Sequence, residues 1–267
     1  MRLLQHKTEA YWFYRFLSVV YDRWVNPLFW TPEMRDAALD AAGLDGRGLR
    51  VLDAGAGTGF TTEGIVERVD PARVTMLDQS PHQLARARRK PALAACRKLL
   101  GDAERLPFED ASFDRYVSAG SIEYWPDPQR GIAEARRVLR EGGTATVIGP
   151  VQPANPILRS LASTWMLFPP EADYRRWFEA AGFTDVRVQA LAPDWYRGRS
   201  VYAVAVSGVR RGAAPPLPPA APERRDTPLT LAGRARFAAR FVLGSAAGLA
   251  FVPIGAALAL RARLARR

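Results

Sequence analysis

Apolar positions in the first two hundred residues gather into short runs, several ending in an acid or a small polar residue, with helical periodicity between them. Runs at Arg50–Ala54, Arg73–Asp78, Cys96–Leu100, Phe113–Ala119 and Thr144–Ile148 predict strands. Thr31-Pro32-Glu33 offers a side-chain cap, a proline at the first helical position and an acid in the first turn, predicting a helix that runs to Ala42 and stops at Gly43. Further helices are expected over Thr61–Val69, over Pro81–Lys90 behind a Ser80 cap, over Gln129–Arg140 closed by Gly142-Gly143, and over Glu171–Ala181 before Gly182. Residues 150–170 read as irregular, and Val186–Leu191 with Val201–Val206 as a closing antiparallel pair. Strand and helix in alternation mean an α/β fold with a doubly wound, mostly parallel sheet.

The most informative stretch is RVLDAGAGTGF, residues 50–60: a buried strand, a glycine-rich turn and the start of a helix. Asp53 ends the strand. Gly55, Gly57 and Gly59 let the backbone bend and approach a ligand, and a helix starting near Thr58 would aim its free N–H groups at that ligand. A dinucleotide site wants a third glycine where this chain has Phe60. The spacing D-x-G-x-G-x-G is instead the S-adenosylmethionine (SAM) pattern of class I methyltransferases. Asp78 falls 19 residues beyond Gly59, where a ribose hydroxyl pair would be gripped. In such sheets the ligand lies outside the carboxyl ends of the strands. Asp53, Thr58, Asp78, Gln79, Asp102, Ala103 and Ser118 all fall there, with the three glycines, and form the expected cofactor site.

Charge changes the picture at one end only. The net charge is +11, yet residues 210–267 hold 11 Arg against Glu223 and Asp226, leaving +2 for the rest. A basic nucleic-acid groove in the main domain is therefore not expected. Cys96 is the single cysteine, and with only His6 and His82 no metal site is expected. Residues 213–228 contain six prolines and read as a linker, and Phe241–Leu260 is twenty residues without a charge between flanking arginines. That length predicts a membrane anchor, either crossing the bilayer or lying on it. The expected divisions are a helical cap over 1–44, the catalytic domain over 45–208, a linker over 209–230 and the anchor over 231–267. MRLLQHKTEA has no apolar core of a signal peptide.

Residues 11–30 hold nine aromatics and predict a helical cap that could also cover an apolar substrate. YWFYRFLSVVYD, LDQSPHQLA, GDAERLPF, SAGSIEYWPDPQRG, WMLFP and WYRG together resemble the 2-methyl-6-phytylbenzoquinol (MPBQ/MSBQ) methyltransferases, over about residues 11–207. The resemblance implies SAM as cofactor, a prenylated benzoquinol methylated on a ring carbon, and an apolar C-terminal anchor. With 35 Arg against 3 Lys and no expected transit peptide, the source reads as prokaryotic, the domain sitting on the cytoplasmic face of an inner membrane. Ring methylation is helped by a base that takes the phenol proton. Glu123 and Tyr124 are the candidates, with His82 behind them, and Tyr21, Trp125 and Trp165 are candidate apolar walls. Two other readings stay open: a SAM enzyme for another apolar acceptor, such as a menaquinol precursor, a sterol or a lipid, and a nicotinamide oxidoreductase or non-catalytic scaffold, against which Phe60 speaks.

Overall fold

The computed structural model describes residues 29–165, 167–198, 200–213 and 215–218 and isolated positions between 235 and 264, excepting the side chains at 161 and 163–165. Seven strands form one sheet: β1 Val51–Ala54, β2 Val74–Asp78, β3 Arg97–Leu100, β4 Phe113–Ala119, β5 Leu139–Pro150, β6 Phe183–Leu191 and β7 Ala203–Arg210, in the order β3-β2-β1-β4-β5-β7-β6. The first five are parallel, and β7 enters antiparallel between β5 and β6. β1 and β2 are buried at every position, as strands covered on both faces must be.

Six α-helices flank the sheet among the described residues: α1 Pro32–Asp40, α2 Phe60–Val66, α3 Pro81–Ala87, α4 Pro128–Val138, α5 Pro156–Trp165 and α6 Glu171–Ala180. Their starts follow the capping residues. Thr31 Oγ1 accepts from Met34 N, Ser80 Oγ from Gln83 N and Asp127 Oδ1 from Arg130 N, each just before a proline. One core lies under α4 and α6, where Ile132, Val138, Tyr174 and Phe178 meet Leu52, Tyr116 and Val204. The other lies under α1 and α2, where Leu39 and Ile65 meet Val51, Met76 and Val117.

Two expectations change. Residues 150–170 contain α5, begun by Asn155 Oδ1, which accepts from Ile157 N (2.9 Å) and Leu158 N (3.2 Å). The helix expected to run to Arg140 ends at Val138, and β5 starts at Leu139. Leu139 pairs with Phe113 and Thr144 with Arg115, so the Gly142–Gly143 turn is an excursion within a strand and not a helix stop. Of the expected membrane anchor over 231–267 only isolated positions are described, and among the described residues no helix is long and apolar enough to cross a membrane. Most of 219–267 lies outside the described residues, as does 1–28 of the expected cap.

What is described of the cap packs well. Phe29 stands edge-on to Trp195 (5.8 Å), Trp195 to Tyr202 (5.8 Å), and Tyr202 Oη donates to Phe29 O at 3.1 Å. At the other end the chain stays attached beyond β7. Arg136, 1% exposed, donates through Nη2 to the carbonyls of Arg211, Gly212 and Ala213 (2.9–3.0 Å), and Arg130 Nη1 donates to Pro218 O (2.6 Å).

Gly131 of α4 gives a direct test of this packing. A Cβ there would lie 2.5 Å from Trp125 Cε3 and Cζ3, both held in the core. Gly131→Ala should lower stability by about 1–3 kcal/mol through overpacking, read as a fall in the urea midpoint at unchanged slope.

Candidate functional site

The site grows from the carboxyl ends of β1, β2 and β4. Gly55 N and Ala56 N both donate to Leu77 O (2.7 and 3.1 Å), which folds the glycine turn over the end of β2. Asp78 completes the stitch: Oδ2 accepts from Gly57 N and Oδ1 from Ser80 N, both at 2.8 Å. The three glycines meet different surroundings. A Cβ on Gly55 would collide with Ser121, and one on Gly59 with Leu93. Only Gly57, at φ +56°, has nothing within 4 Å of where a Cβ would stand. It is the turn's opening onto free space, directly above the Asp78 carboxylate.

Asp53 is 1% exposed at the end of β1. Its Oδ2 accepts from Thr62 Oγ1 at 2.6 Å, and its Oδ1 is buried without a partner. Burial pushes this carboxyl up to about 7, against the pull of the Thr62 hydroxyl and helped by the negative charge of Asp78. Asp78 itself is raised by burial to about 6, against its two backbone donors. Two crowded carboxyls beside an open glycine turn favour a cationic ligand bearing hydroxyl donors, which fits a sulfonium nucleoside. Asp102 is half-buried just past β3, turned by its own bond from Glu104 N (3.0 Å), with Ala103 buried beside it. Ser118, fully buried on β4, has an unpartnered Oγ. Thr58 and Gln79 are half-buried in the two turns.

After β4 a single 3-10 turn, Ile122–Tyr124, carries the candidate base. Glu123 is 8% exposed, its Oε2 is buried with no partner, and burial raises it to about 7. Its carbonyl accepts from Leu167 N at 3.1 Å, which pins the turn to the segment after α5. Tyr124 is half-buried and His82 exposed on the first turn of α3. Trp125 is 6% exposed, stacked under Gly131 with Nε1 donating to Ser121 Oγ (3.0 Å), so it serves the core. Tyr21 and the side chain of Trp165 lie outside the described residues. Thr62, the partner of Asp53, and Ser121, which fills the space that Gly55 leaves, were not singled out from the sequence. Neither has a short-range signal, since their partners are 9 and 66 residues away. No group of three His, Cys, Asp or Glu able to hold a metal occurs among the described residues.

The raised carboxyls tie stability to pH. Asp53 has a folded value near 7 against an ordinary 3.8, so the folded state holds its proton more tightly than the unfolded chain does. Its contribution is fully present below about pH 4 and is lost as pH rises through about 7. Asp53→Asn should therefore stabilise the ligand-free protein more at pH 8 than at pH 5. Parallel stability differences at the two pH values would contradict this.

A family profile described as a methyltransferase domain matches residues 52–147. The chain is 52% identical over 269 residues to 2-methyl-6-phytyl-1,4-hydroquinone methyltransferase 2, chloroplastic, of Oryza sativa subsp. japonica, covering 95% of this chain and 74% of that one. The corresponding Arabidopsis thaliana protein is 51% identical, covering 95% and 76%. Demethylmenaquinone methyltransferase of Staphylococcus aureus (strain Newman) is 31% identical over 54% of this chain and 72% of its own. Among solved structures, the fold resembles the Haloferax volcanii complex of the Trm112 methyltransferase activator with its partner methyltransferase (TM-score 0.62, 22% identity, 79% of this chain and 98% of that one). It also resembles geranyl diphosphate C-methyltransferase of Streptomyces coelicolor A3(2), solved with S-adenosyl-L-homocysteine (TM-score 0.57, 17% identity, 67% and 77%). The expected prokaryotic inner-membrane location is overturned by the plant relatives, whose names place them in the chloroplast. With half its residues shared over nearly its whole length, the chain belongs to the 2-methyl-6-phytyl-1,4-hydroquinone methyltransferases, a family of class I SAM-dependent methyltransferases.

Proposed function

We propose that the protein methylates a ring carbon of a prenylated hydroquinone, with Glu123 as the base that takes the phenol proton. The reading is carried by one observation: a buried carboxyl oxygen, Glu123 Oε2, without a partner on the turn after β4. Buried acceptors are nearly always satisfied, so an orphan at the ligand edge of an α/β sheet is a proton acceptor awaiting its donor. When bound, SAM supplies an electrophilic methyl group. The residues fitted to hold it are Asp78 for ribose hydroxyls, the Gly55–Gly59 turn for close approach, and Asp53, Thr58, Gln79, Asp102, Ala103 and Ser118 around it.

The chain's own chemistry is then small and specific. Phenol ionisation moves electron density onto the ring carbons ortho and para to the oxygen. Glu123, near 7, is poised to accept that proton at neutral pH, and its burial keeps water from competing for it. Tyr124 stands beside it as a second hydrogen-bonding group; the methylated ring carbon then gives up its own proton to solvent and the ring re-aromatises, while Glu123 returns the phenol proton to the oxygen, so one proton is released per turnover. Tyr21 and Trp165 are assigned to the apolar wall; Trp125 supports the turn from beneath. A different apolar acceptor, such as a menaquinol precursor, is the alternative, favoured by the likeness to the Staphylococcus aureus demethylmenaquinone enzyme. Mass spectrometry of the products of isotopically methyl-labelled SAM with a panel of quinols separates the two.

Glu123→Gln should cut turnover by about 10²-fold or more with SAM affinity nearly intact, and the loss should shrink at high pH, where the quinol ionises unaided. In the wild type, turnover should rise with pH through about 7 as Glu123 loses its proton. Near-normal turnover of the variant across pH would leave Glu123 structural.

Asp78→Ala should weaken SAM binding by about 1.5–3 kcal/mol, since both ligand bonds and the stitch to Gly57 are lost. Gly57→Val should do at least as much by filling the open space and straining a positive φ. Calorimetry reads both, and unchanged affinity in the pair would sink the site assignment.

A further inference from the structure

The candidate cofactor residues Asp102 and Ala103 stand on a loop, residues 101–110, whose regular pairing is one isolated bridge between Asp102 and Arg105. Ordering such a segment at the moment of binding would cost conformational entropy. Here the segment is already fastened, by one face of α4. Arg130, Glu134 and Arg137 are spaced four and three residues apart and so share that face. Glu134, 3% exposed, accepts from Leu106 N through Oε2 at 2.7 Å and takes Arg137 in a two-pronged pair, Nε to Oε1 and Nη2 to Oε2, both 2.8 Å. Arg137 turns its remaining N–H groups to the carbonyls of Leu106 (3.0 Å) and Phe108 (2.8 Å) and to Asp110 Oδ1 (2.8 Å). Arg130 Nε donates to Glu104 O at 2.9 Å, and Glu104 Oε1 accepts from the amide of Asp127, the cap of α4. The other end of the loop is held to the acid of β2, with Gly101 N donating to Asp78 O at 3.1 Å.

We propose that the Glu134–Arg137 pair, assisted by Arg130, positions the cofactor: it presets the Asp102–Ala103 segment beside Asp78, so that the nucleoside meets a rigid edge. The inference rests on the reading of Asp102 as a cofactor residue, which one arm of the test probes by itself. Only a guanidinium can serve the pair and both carbonyls at once, because its donors are fixed in a planar fork. A lysine keeps the charge but cannot reach all of those acceptors.

The experiment uses the full chain and two readouts other than turnover: amide hydrogen exchange of residues 104–111 without ligand, and calorimetry with S-adenosylhomocysteine. In Arg137→Lys the Leu106 amide should exchange faster, and S-adenosylhomocysteine should bind about tenfold more weakly, the scale of coupling carried by residues that do not touch the ligand. The kinetic loss should fall on KM for SAM and not on kcat. Arg137→Gln should be worse than Lys, giving a graded series. Arg130→Met, which spares the buried carboxylate, carries the test if the Arg137 variants do not fold, with faster exchange at Glu104 and weaker binding expected. Asp102→Ala should itself weaken S-adenosylhomocysteine binding. If it does while a loosened loop leaves affinity unchanged, positioning is refuted and the cofactor reading stands. If Asp102→Ala has no effect, both fall.

Discussion

A single buried carboxylate, that of Asp78, sets the geometry on which the ligand edge of this sheet depends. Its two oxygens hold one amide of the glycine turn and one of the turn into α3, while the preceding carbonyl, Leu77 O, holds two more amides of the glycine turn. The end of β2 therefore fixes the path of the chain leaving β1. The arrangement costs something, because burial opposes the charge more strongly than two backbone donors support it. The charge of Asp78 in turn helps to raise the buried carboxyl of Asp53. A cation with hydroxyl groups bound there would relieve both, which is the electrostatic basis of the proposed cofactor site.

The turn that follows β4 is fixed by packing where Asp78 works by charge. Ser121 occupies the space that Gly55 leaves empty, the Trp125 ring lies under Gly131, and the Glu123 carbonyl receives Leu167 N. A carboxylic acid on a turn held at three points keeps its position whether or not it is protonated. That is what a group needs if it is to accept a proton and return it without the site rearranging.

Much of this was legible locally. The acid at the end of each early strand, the glycine spacing and the proline-capped helix starts all depend on residues within one turn of each other, and they foretold the fold and where its strand ends and turns would fall. The illegible parts join distant residues. Nothing near Gly55 announces that Ser121 will fill its missing side chain, and Glu134 with Arg137 reads as an ordinary surface pair until the loop of residues 101–110 is laid against it. Helix α5 was hidden by the prolines and aromatics of the segment around it although Asn155-Pro156 was a usable start signal. The Gly142–Gly143 turn misled because a glycine pair that ends a helix and one that makes an excursion in a strand look alike without the partner strand.

The polar grip that Arg136 and Arg130 keep on residues 211–218 moves the frontier of the folded unit. The last strand ends at Arg210, yet the buried Arg136 guanidinium finds three of its acceptors at Arg211, Gly212 and Ala213. Severing the chain at the strand's end would leave a desolvated cation facing vacated space, a larger loss than removing a few exposed residues suggests. The proline run that looks like a spacer thus begins as a seal. Because Arg130 grips Pro218 with one nitrogen and the carbonyl of Glu104 with another, breaking that seal would be felt in the loop of residues 101–110 on the far side of α4.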